Sequence, residues 1–317
     1  MSEGVSHRVS RVCALIITFQ PDLEALDRLV GAVAGQVGCL LVFDNASAAS
    51  TTQAYLAALE AEGIAVHRSE RNVGLGAAMN HGARFARASG FDSLLILDQD
   101  SVPSPDMVET LEIALSELGR EGQVAAVGPQ FQDPRSGQLA PFLRIGFPLN
   151  HKMYGGPGER LRCDFLISSG TLLRLDTLDI VGELDETLFI DNVDLEWCQR
   201  AGAKDMALYG VCDARMQHSI GDALQSSRFS REGWTVHRPV RLYYIMRNRT
   251  LLYRRQATPV IWILQDIPRL LLKFALTLGV CTPRRSYLQH MLRGIGDGVR
   301  GRTGPMQQHG KSRPNDA

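Results

Sequence analysis

The stretch Val12–Thr18, VCALIIT, decides the fold. It is an apolar run without polar alternation, as expected of a strand buried on both faces, the usual setting of a parallel sheet. Pro21 and Asp22 follow, and Leu23, Leu26, Leu29 and Val30 then recur at helical spacing. The same unit repeats downstream. Residues 39–43 (CLLVF) are a second buried strand ending at Asp44-Asn45, residues 51–62 fit a helix and residues 64–68 a short strand. A loop punctuated by glycines leads to a helix over 76–89, and residues 94–97 (LLIL) form a strand ending at Asp98. An amphipathic helix over 105–118 carries apolar Met107, Val108, Leu111, Leu115 and Leu118, and 124–127 is another short strand. Strands alternating with helices predict an α/β domain with a mainly parallel sheet, whose ligands bind at the carboxyl ends of the strands. Polar clusters stand at three such ends: Thr18 to Asp22, Asp44-Asn45 and Asp98 to Asp100.

The 317 residues carry 34 basic and 34 acidic side chains, so no general attraction to nucleic acid follows from charge. Six cysteines, at 13, 39, 163, 198, 212 and 281, form no C-x-x-C pair and read as reduced, buried residues. The opening MSEGVSHRVSRV lacks the apolar core of a signal peptide, and the expectation is a cytoplasmic protein. No segment supplies the roughly 18 uncharged apolar residues of a membrane span. The nearest, 259–280, is broken by Asp266, Pro268, Arg269 and Lys273.

Beyond residue 130 the rhythm weakens. Residues 132–160 are rich in Gly and Pro and read as a long loop with room for a hairpin. Residues 165–173 are strand-like around Ser168-Ser169-Gly170, residues 191–201 fit a helix, and the chain from Arg238 onward is helical and basic. The tail from Gly301 has a disordered composition.

Asp98 and Asp100, one residue apart just past a buried strand, can hold a hard divalent cation such as Mg²⁺ or Mn²⁺. The competing reading is a polar turn into the next helix, capped by Ser104 with Pro105 at its first position. Asp44-Asn45 can accept hydrogen bonds from a nucleobase or ribose, or close an Asx turn. In ERNVGLGAAMN (70–80), Gly74 and Gly76 permit close backbone approach to a ligand, and the following helix would aim N–H groups at an anion. Met79 breaks the dinucleotide fingerprint, and the plain alternative is a loop-to-helix cap. The acidic segment DETLFIDNVDLEWCQR (185–200) places Asp191 and Asp194 three apart, on one face of the expected helix, whereas Glu196 faces elsewhere. A carboxylate there can serve as a general base or as part of a solvated acidic helix start. His218, in MQHSIGD, gains weight only if the fold brings it to Asp98 and Asp100.

In this order the residues resemble the family-2 inverting glycosyltransferases of GT-A fold. The series is Thr18 and Pro21, Asp44-Asn45, Arg71-Asn72-x-Gly74 with Asn80, Asp98-x-Asp100, Ser168-Ser169-Gly170, the acidic segment ending in Arg200, and His218. The resemblance covers about residues 10–220. FIDNVDLEWCQRAG and HSIGD look most like bacterial rhamnosyltransferases, with galactofuranosyltransferases using UDP-galactofuranose as the nearest alternative. It implies that Thr18, Asp44, Asn45, Asn72 and Gly74 line the nucleotide pocket with Asp98, that Asp98, Asp100 and His218 hold Mg²⁺ or Mn²⁺, and that the base is Asp194, with Asp191 as rival. Many members carry Glu-Asp with an Arg six residues after the Asp. Counting back from Arg200 gives Asp194, but Val193 stands where the Glu would be. The implied domains are a GT-A nucleotide-sugar-binding and catalytic domain over 10–235, a helical region over 236–300 and a disordered tail over 301–317. The implied partners are a nucleotide-sugar donor, dTDP-rhamnose by preference, and a cell-surface polysaccharide or lipid-linked glycan acceptor.

RPVRLYYIMRNRTLLYRR (238–255) reads either as an anionic acceptor site or as an amphipathic helix with a solvated basic face. Residues 259–280 suit a membrane interface, packing on the catalytic domain, or a dimer contact. Two other classes compete. A nucleotidyltransferase would need a basic, glycine-rich loop after the first strand, where this chain reads TFQPDLEALD. A non-catalytic nucleotide-sugar-binding protein would have no need of a base at Asp194.

Overall fold

The protein is described from a computed structural model covering residues 10–133, 137–217, 223–227 and 230–307. Its first half runs β1 (Val12–Thr18), α1 (Leu23–Val33), β2 (Cys39–Asp44), α2 (Ser50–Ala61), β3 (Ala65–Arg68), α3 (Leu75–Ala88), β4 (Ser93–Asp98), β5 (Val102–Pro103), α4 (Met107–Glu121) and β6 (Val124–Gln132). Then come β7 (Phe142–Arg144), β8 (His151–Met153), β9 (Arg160–Cys163), β10 (Leu172–Arg174), α5 (Thr177–Val181), a 3₁₀ turn (Glu186–Leu188), α6 (Val193–Ala203) and β11 (Ala207–Gln217). A hairpin of β12 (Ala223–Ser227) and β13 (Ser230–Val236) precedes three helices, α7 (Pro239–Leu252), α8 (Val260–Val280) and α9 (Arg284–Val299).

The central sheet is ordered β3-β2-β1-β4-β10-β6-β11-β5, with β9 also on β11. β3, β2, β1, β4, β6 and β11 point one way, and β10, β5 and β9 run against them. The mainly parallel α/β architecture read from the sequence is therefore present. The apolar run of β1 is explained by its two faces. Cys13, Leu15 and Ile17 pack with Met79 and Ala83 of α3 and Trp197 of α6. Val12, Ala14 and Ile16 pack with Leu26, Leu56, Met107 and Leu111 from the helices on the other side. Register then sets the site: Thr18 pairs with Asp44, and Ile17 with Asp98, so three polar strand ends share one edge.

Several expectations need correction. α4 starts at Met107, because Ser104 and Met107 close a turn and the Ser104 hydroxyl donates to Asp106 instead of capping the helix. β6 extends to Gln132 because β11 pairs along it. Of 165–173 only the end is strand; Gly170, at φ +78°, turns the chain at Ser168–Thr171. Residues 301–307, expected in a disordered tail, are bonded to the fold: Gly304 N donates to Thr187 O at 2.7 Å and Met306 N to the Tyr244 hydroxyl at 2.8 Å. The rest of the tail lies outside the described residues. All six cysteines are free thiols. Among the described residues, no helix is long and apolar enough to cross a membrane.

Leu95 is fully buried in β4 between β1 and β10. Leu95→Ala should lower unfolding free energy by about 2–5 kcal/mol, read from urea denaturation.

Candidate active site

The crevice opens where β1, β2 and β4 end. Thr18 is fully buried, and its hydroxyl has no partner among the described residues. Asp44 is buried in a turn of its own, accepting from Ser47 N at 3.2 Å and Gln53 Nε2 at 3.0 Å. Asn45 Oδ1 accepts from Val73 N at 2.8 Å, and Asn72 Oδ1 from Gly74 N at 3.0 Å. The Asx-turn reading of this strand end thus holds for Asp44, although a carboxylate retains acceptor capacity beyond those bonds.

The two glycines serve a purpose different from the one read in the sequence. Gly74 adopts φ +84°, and a Cβ there would stand 2.5 Å from Phe189 O. A Cβ on Gly76 would meet Asp185 O at 2.9 Å. Leu75 N, at the start of α3, donates to Phe189 O at 2.6 Å. The close approach is therefore to the acidic segment of the same chain, which occupies part of the helix N-terminus expected to face a ligand.

Asp98 is half-buried and Asp100 exposed at the end of β4. Gln99 Oε1 accepts from Phe19 N at 2.8 Å and ties this loop to the end of β1. Among the described residues, no group of three His, Cys, Asp or Glu side chains encloses a cation by itself. Two hard carboxylates at a strand end nevertheless fit Mg²⁺ or Mn²⁺, which take one or two carboxylates and complete their shells with water and phosphate oxygens. His218 lies outside the described residues; Gln217, just before it, pairs with Val102, two residues beyond Asp100.

Asp194 sits in the first turn of α6, with Oδ1 accepting from Leu195 N at 2.8 Å and Oδ2 from Ser168 N at 3.3 Å. Burial, reinforced by the charges of Asp191 and Asp98, pushes its carboxyl up to about 6, against the pull of those two N–H groups. The Ser168-Ser169 turn joins the two acidic sites. Ser168 N reaches Asp194, while the Ser169 hydroxyl accepts from Asp98 N at 3.0 Å and bonds the Ser101 hydroxyl at 2.7 Å.

Asp191 does not share a helical face with Asp194. It precedes α6, and Phe189, Asp191 and Asn192 all have positive φ, at 66°, 60° and 61°. Arg241 Nε donates to Asp191 Oδ1 at 3.2 Å. Burial raises the Asp191 carboxyl above its ordinary value, opposed by Arg241, His237 and Lys273. Lys273, reaching in from α8, is held down at about 8 by burial and by Arg249.

Residues 13–167 match the profile of Glycosyl transferase family 2. The chain is a glycosyltransferase carrying a family 2 domain. The transferase is 29% identical, over 297 residues, to the dTDP-rhamnosyl transferase RfbF of Shigella flexneri, covering 93% of this chain and 97% of that protein. Its fold resembles that of GalNAc-T7, solved with UDP, GalNAc and Mn²⁺, at a TM-score of 0.58 and 15% identity over 93% of this chain and 57% of the other. It also resembles residues 1–349 of S. aureus TarS, solved with UDP-GlcNAc, at 0.57 and 13% identity over 91% of this chain and 80% of the other. These likenesses give the glycosyltransferase its GT-A-like architecture.

Sequence reasoning missed the residues that hold the acidic loop of the transferase. Asn248 Nδ2, on α7, donates to the carbonyls of Leu188, Ile190 and Asp191 at 3.0, 2.7 and 2.9 Å. Arg247, fully buried, donates Nη2 to Leu188 O at 2.8 Å, Nε to Asn248 Oδ1 at 2.9 Å and Nη1 to Gly304 O. Arg255 pairs with Asp185 and Glu196, and Arg249 with Asp266. The arginine run is thus largely internal, neither a solvated face nor an open acceptor site, because each of these cations meets a buried carboxylate or carbonyl. The available signal was Arg247-Asn248 inside the otherwise apolar YYIM…TLL.

Asn248→Ala should remove the side-chain donor from the Ile190 and Asp191 carbonyls, Leu188 O keeping Arg247, and lower stability by about 1–3 kcal/mol. Turnover should fall on the order of 100-fold as the loop shifts. Urea denaturation and donor-saturated initial rates check both, with nucleotide affinity expected to stay near wild type.

Proposed function

We propose that this glycosyltransferase moves L-rhamnose from dTDP-rhamnose, with inversion, to a hydroxyl of a cell-surface polysaccharide or lipid-linked glycan. The carrying observation is the pair of acidic sites joined by Ser168-Ser169, with Asp98 at a strand end and Asp194, half-buried, at the start of α6. The 29% identity to RfbF along nearly its full length supports rhamnose as the donor sugar.

In this reading Thr18, Asp44, Asn45, Asn72 and Gly74 form the nucleotide side. Asp98 and Asp100 hold Mg²⁺ or Mn²⁺, and His218, next in sequence to Gln217, is the candidate third ligand. The cation, when bound, neutralises charge developing on the departing nucleoside diphosphate. Asp194 acts as general base. As the acceptor oxygen bonds to the anomeric carbon and the bond to the diphosphate breaks, the hydroxyl proton passes to an Asp194 carboxylate oxygen. Oδ2, with the longer of the two N–H contacts, is the more available one. Asp191, neutralised by Arg241, is better suited to shaping the loop than to taking a proton. One base without an enzyme nucleophile suffices for inversion, unlike the carboxylate pair of glycoside hydrolases.

A donor panel of dTDP-rhamnose, UDP-galactofuranose, UDP-glucose and GDP-mannose with Mn²⁺, read by nucleoside diphosphate release, should show turnover of dTDP-rhamnose. Turnover of UDP-galactofuranose alone would replace rhamnose by galactofuranose. Donor binding without any turnover would leave the non-catalytic reading.

Asp194→Asn should abolish transfer yet leave donor affinity intact. kcat/KM should rise with pH through about 6 and then level off, since the base works only when ionised. Folding raises this carboxyl from its ordinary 3.8, so the native chain binds the proton more tightly and stability falls as pH rises from 3.8 through about 6. Thermal melts across that window should show a smaller decline in Asp194→Asn than in wild type, the raised Asp191 carboxyl contributing the same sign in both.

A further inference from the structure

α8 packs Trp262, Leu270, Phe274 and Leu278 into the fold and still exposes a second apolar side. Val260, Ile261, Leu264, Ile267, Leu271 and Leu272 are 42–69% exposed. At 100° per residue these positions fall on one side, joined by Pro268, Ala275 and Gly279, all exposed. The polar residues point the other way. Gln265, Asp266 and Thr277 are buried. Asp266 accepts from Arg249 at 2.5 Å and from the Tyr253 hydroxyl at 2.6 Å, Arg269 donates to Gln265, and Lys273 faces the Asp191 loop. A contiguous aliphatic face some 30 Å long, from 21 residues, is rare on a monomer in water.

A second exposed apolar element lies next to this helix. The loop between β7 and β8 exposes Phe147 and Leu149, at 71% and 67%. Gln265 Nε2 donates to Gly146 O, which fixes the loop beside α8.

The charge around the face has one sign. Between residues 259 and 300 the only acidic residues are Asp266 and Asp297, both buried, whereas of the six Lys and Arg three, Arg284, Arg285 and Arg300, are exposed. Arg284 and Arg285 are exposed, and Arg284 Nη2 reaches Gly279 O at 3.4 Å, at the end of the stripe.

We propose that α8 and the tip of the β7–β8 loop dock on an anionic lipid bilayer, with the helix lying in the plane of the interface. An in-plane helix buries an apolar face among acyl chains while cations meet headgroup phosphates. The face presents no polar side chain that could set the register of a protein partner, whereas specific protein interfaces carry such groups. Docking does not depend on the donor sugar. Its use for a lipid-linked acceptor rests on the proposed function: Lys273, on the inner side of the same helix, faces the Asp191 loop, so the catalytic loop sits one helix thickness from the bilayer.

The test is co-sedimentation of the full chain with phosphatidylcholine vesicles, with and without phosphatidylglycerol. Wild type should pellet with the anionic vesicles and be released by high salt. Leu264→Asp combined with Leu271→Asp should weaken vesicle binding about tenfold or more, with melting temperature and soluble nucleoside diphosphate release unchanged. Phe147→Asp with Leu149→Asp should weaken it independently, which covers a helix variant that fails to fold. Wild type remaining in the supernatant with both vesicle types overturns the proposal. So does light scattering that shows a dimer dissociated by the α8 variant, since a second copy would then cover the face. Failure of the donor panel with intact vesicle binding would sink the rhamnose reading and leave the docking surface standing.

Discussion

The side-chain amide of Asn248 is the interaction on which the active site depends. Its two N–H groups serve three carbonyls, of Leu188, Ile190 and Asp191, and Arg247 adds a donor at Leu188. Those carbonyls belong to a loop in which Phe189, Asp191 and Asn192 adopt positive φ. Each such residue costs on the order of 1–3 kcal/mol and persists only where its surroundings over-determine it. α7 supplies that over-determination from one side, and Leu75 N, bonded to Phe189 O, from another. The start of α6, and with it Asp194, is placed by the sum of these contacts.

The same scaffold separates two neighbouring carboxylates electrostatically. Asp191 faces a guanidinium, whereas the partners of Asp194 among the described residues are two backbone N–H groups. Burial acts on both, yet only Asp191 has a counter-charge on an oxygen. The Ser168-Ser169 turn contributes by spanning from Asp194 to the strand end that carries Asp98, using one backbone N–H and one hydroxyl.

What the sequence disclosed was local. The period of β1 revealed a strand with two covered faces, and Asp44 and Asp98 stood at the ends of similar runs, so their meeting at one edge followed from parallel pairing. Contacts across long separations were hidden. Arg247 and Asn248 lie nearly sixty residues from the carbonyls they bind, and a basic helix in isolation reads as solvent-facing. Gly74 was legible as a site of close approach, but nothing local named Phe189 as what approaches. The break before α6 had a readable hint: Asp191-Asn192 are residue types that tolerate the left-handed region. For α8, periodicity defines an apolar stripe but cannot say whether it turns inward, and only the buried Asp266 with its partners settles the orientation.

The contacts of Gly74 and Asn80 with the acidic segment bear on how such enzymes can be recombined. The family match ends at residue 167, which invites a crossover there between related chains. Gly74 against Phe189, and the Asn80 amide against Leu184 at 2.9 Å in both directions, form a seam straddling that boundary. A chimera joined at 167 would inherit mismatched halves of the seam, so exchange of specificity has to carry the 74–80 turn, the 184–192 loop and α7 as one inherited block.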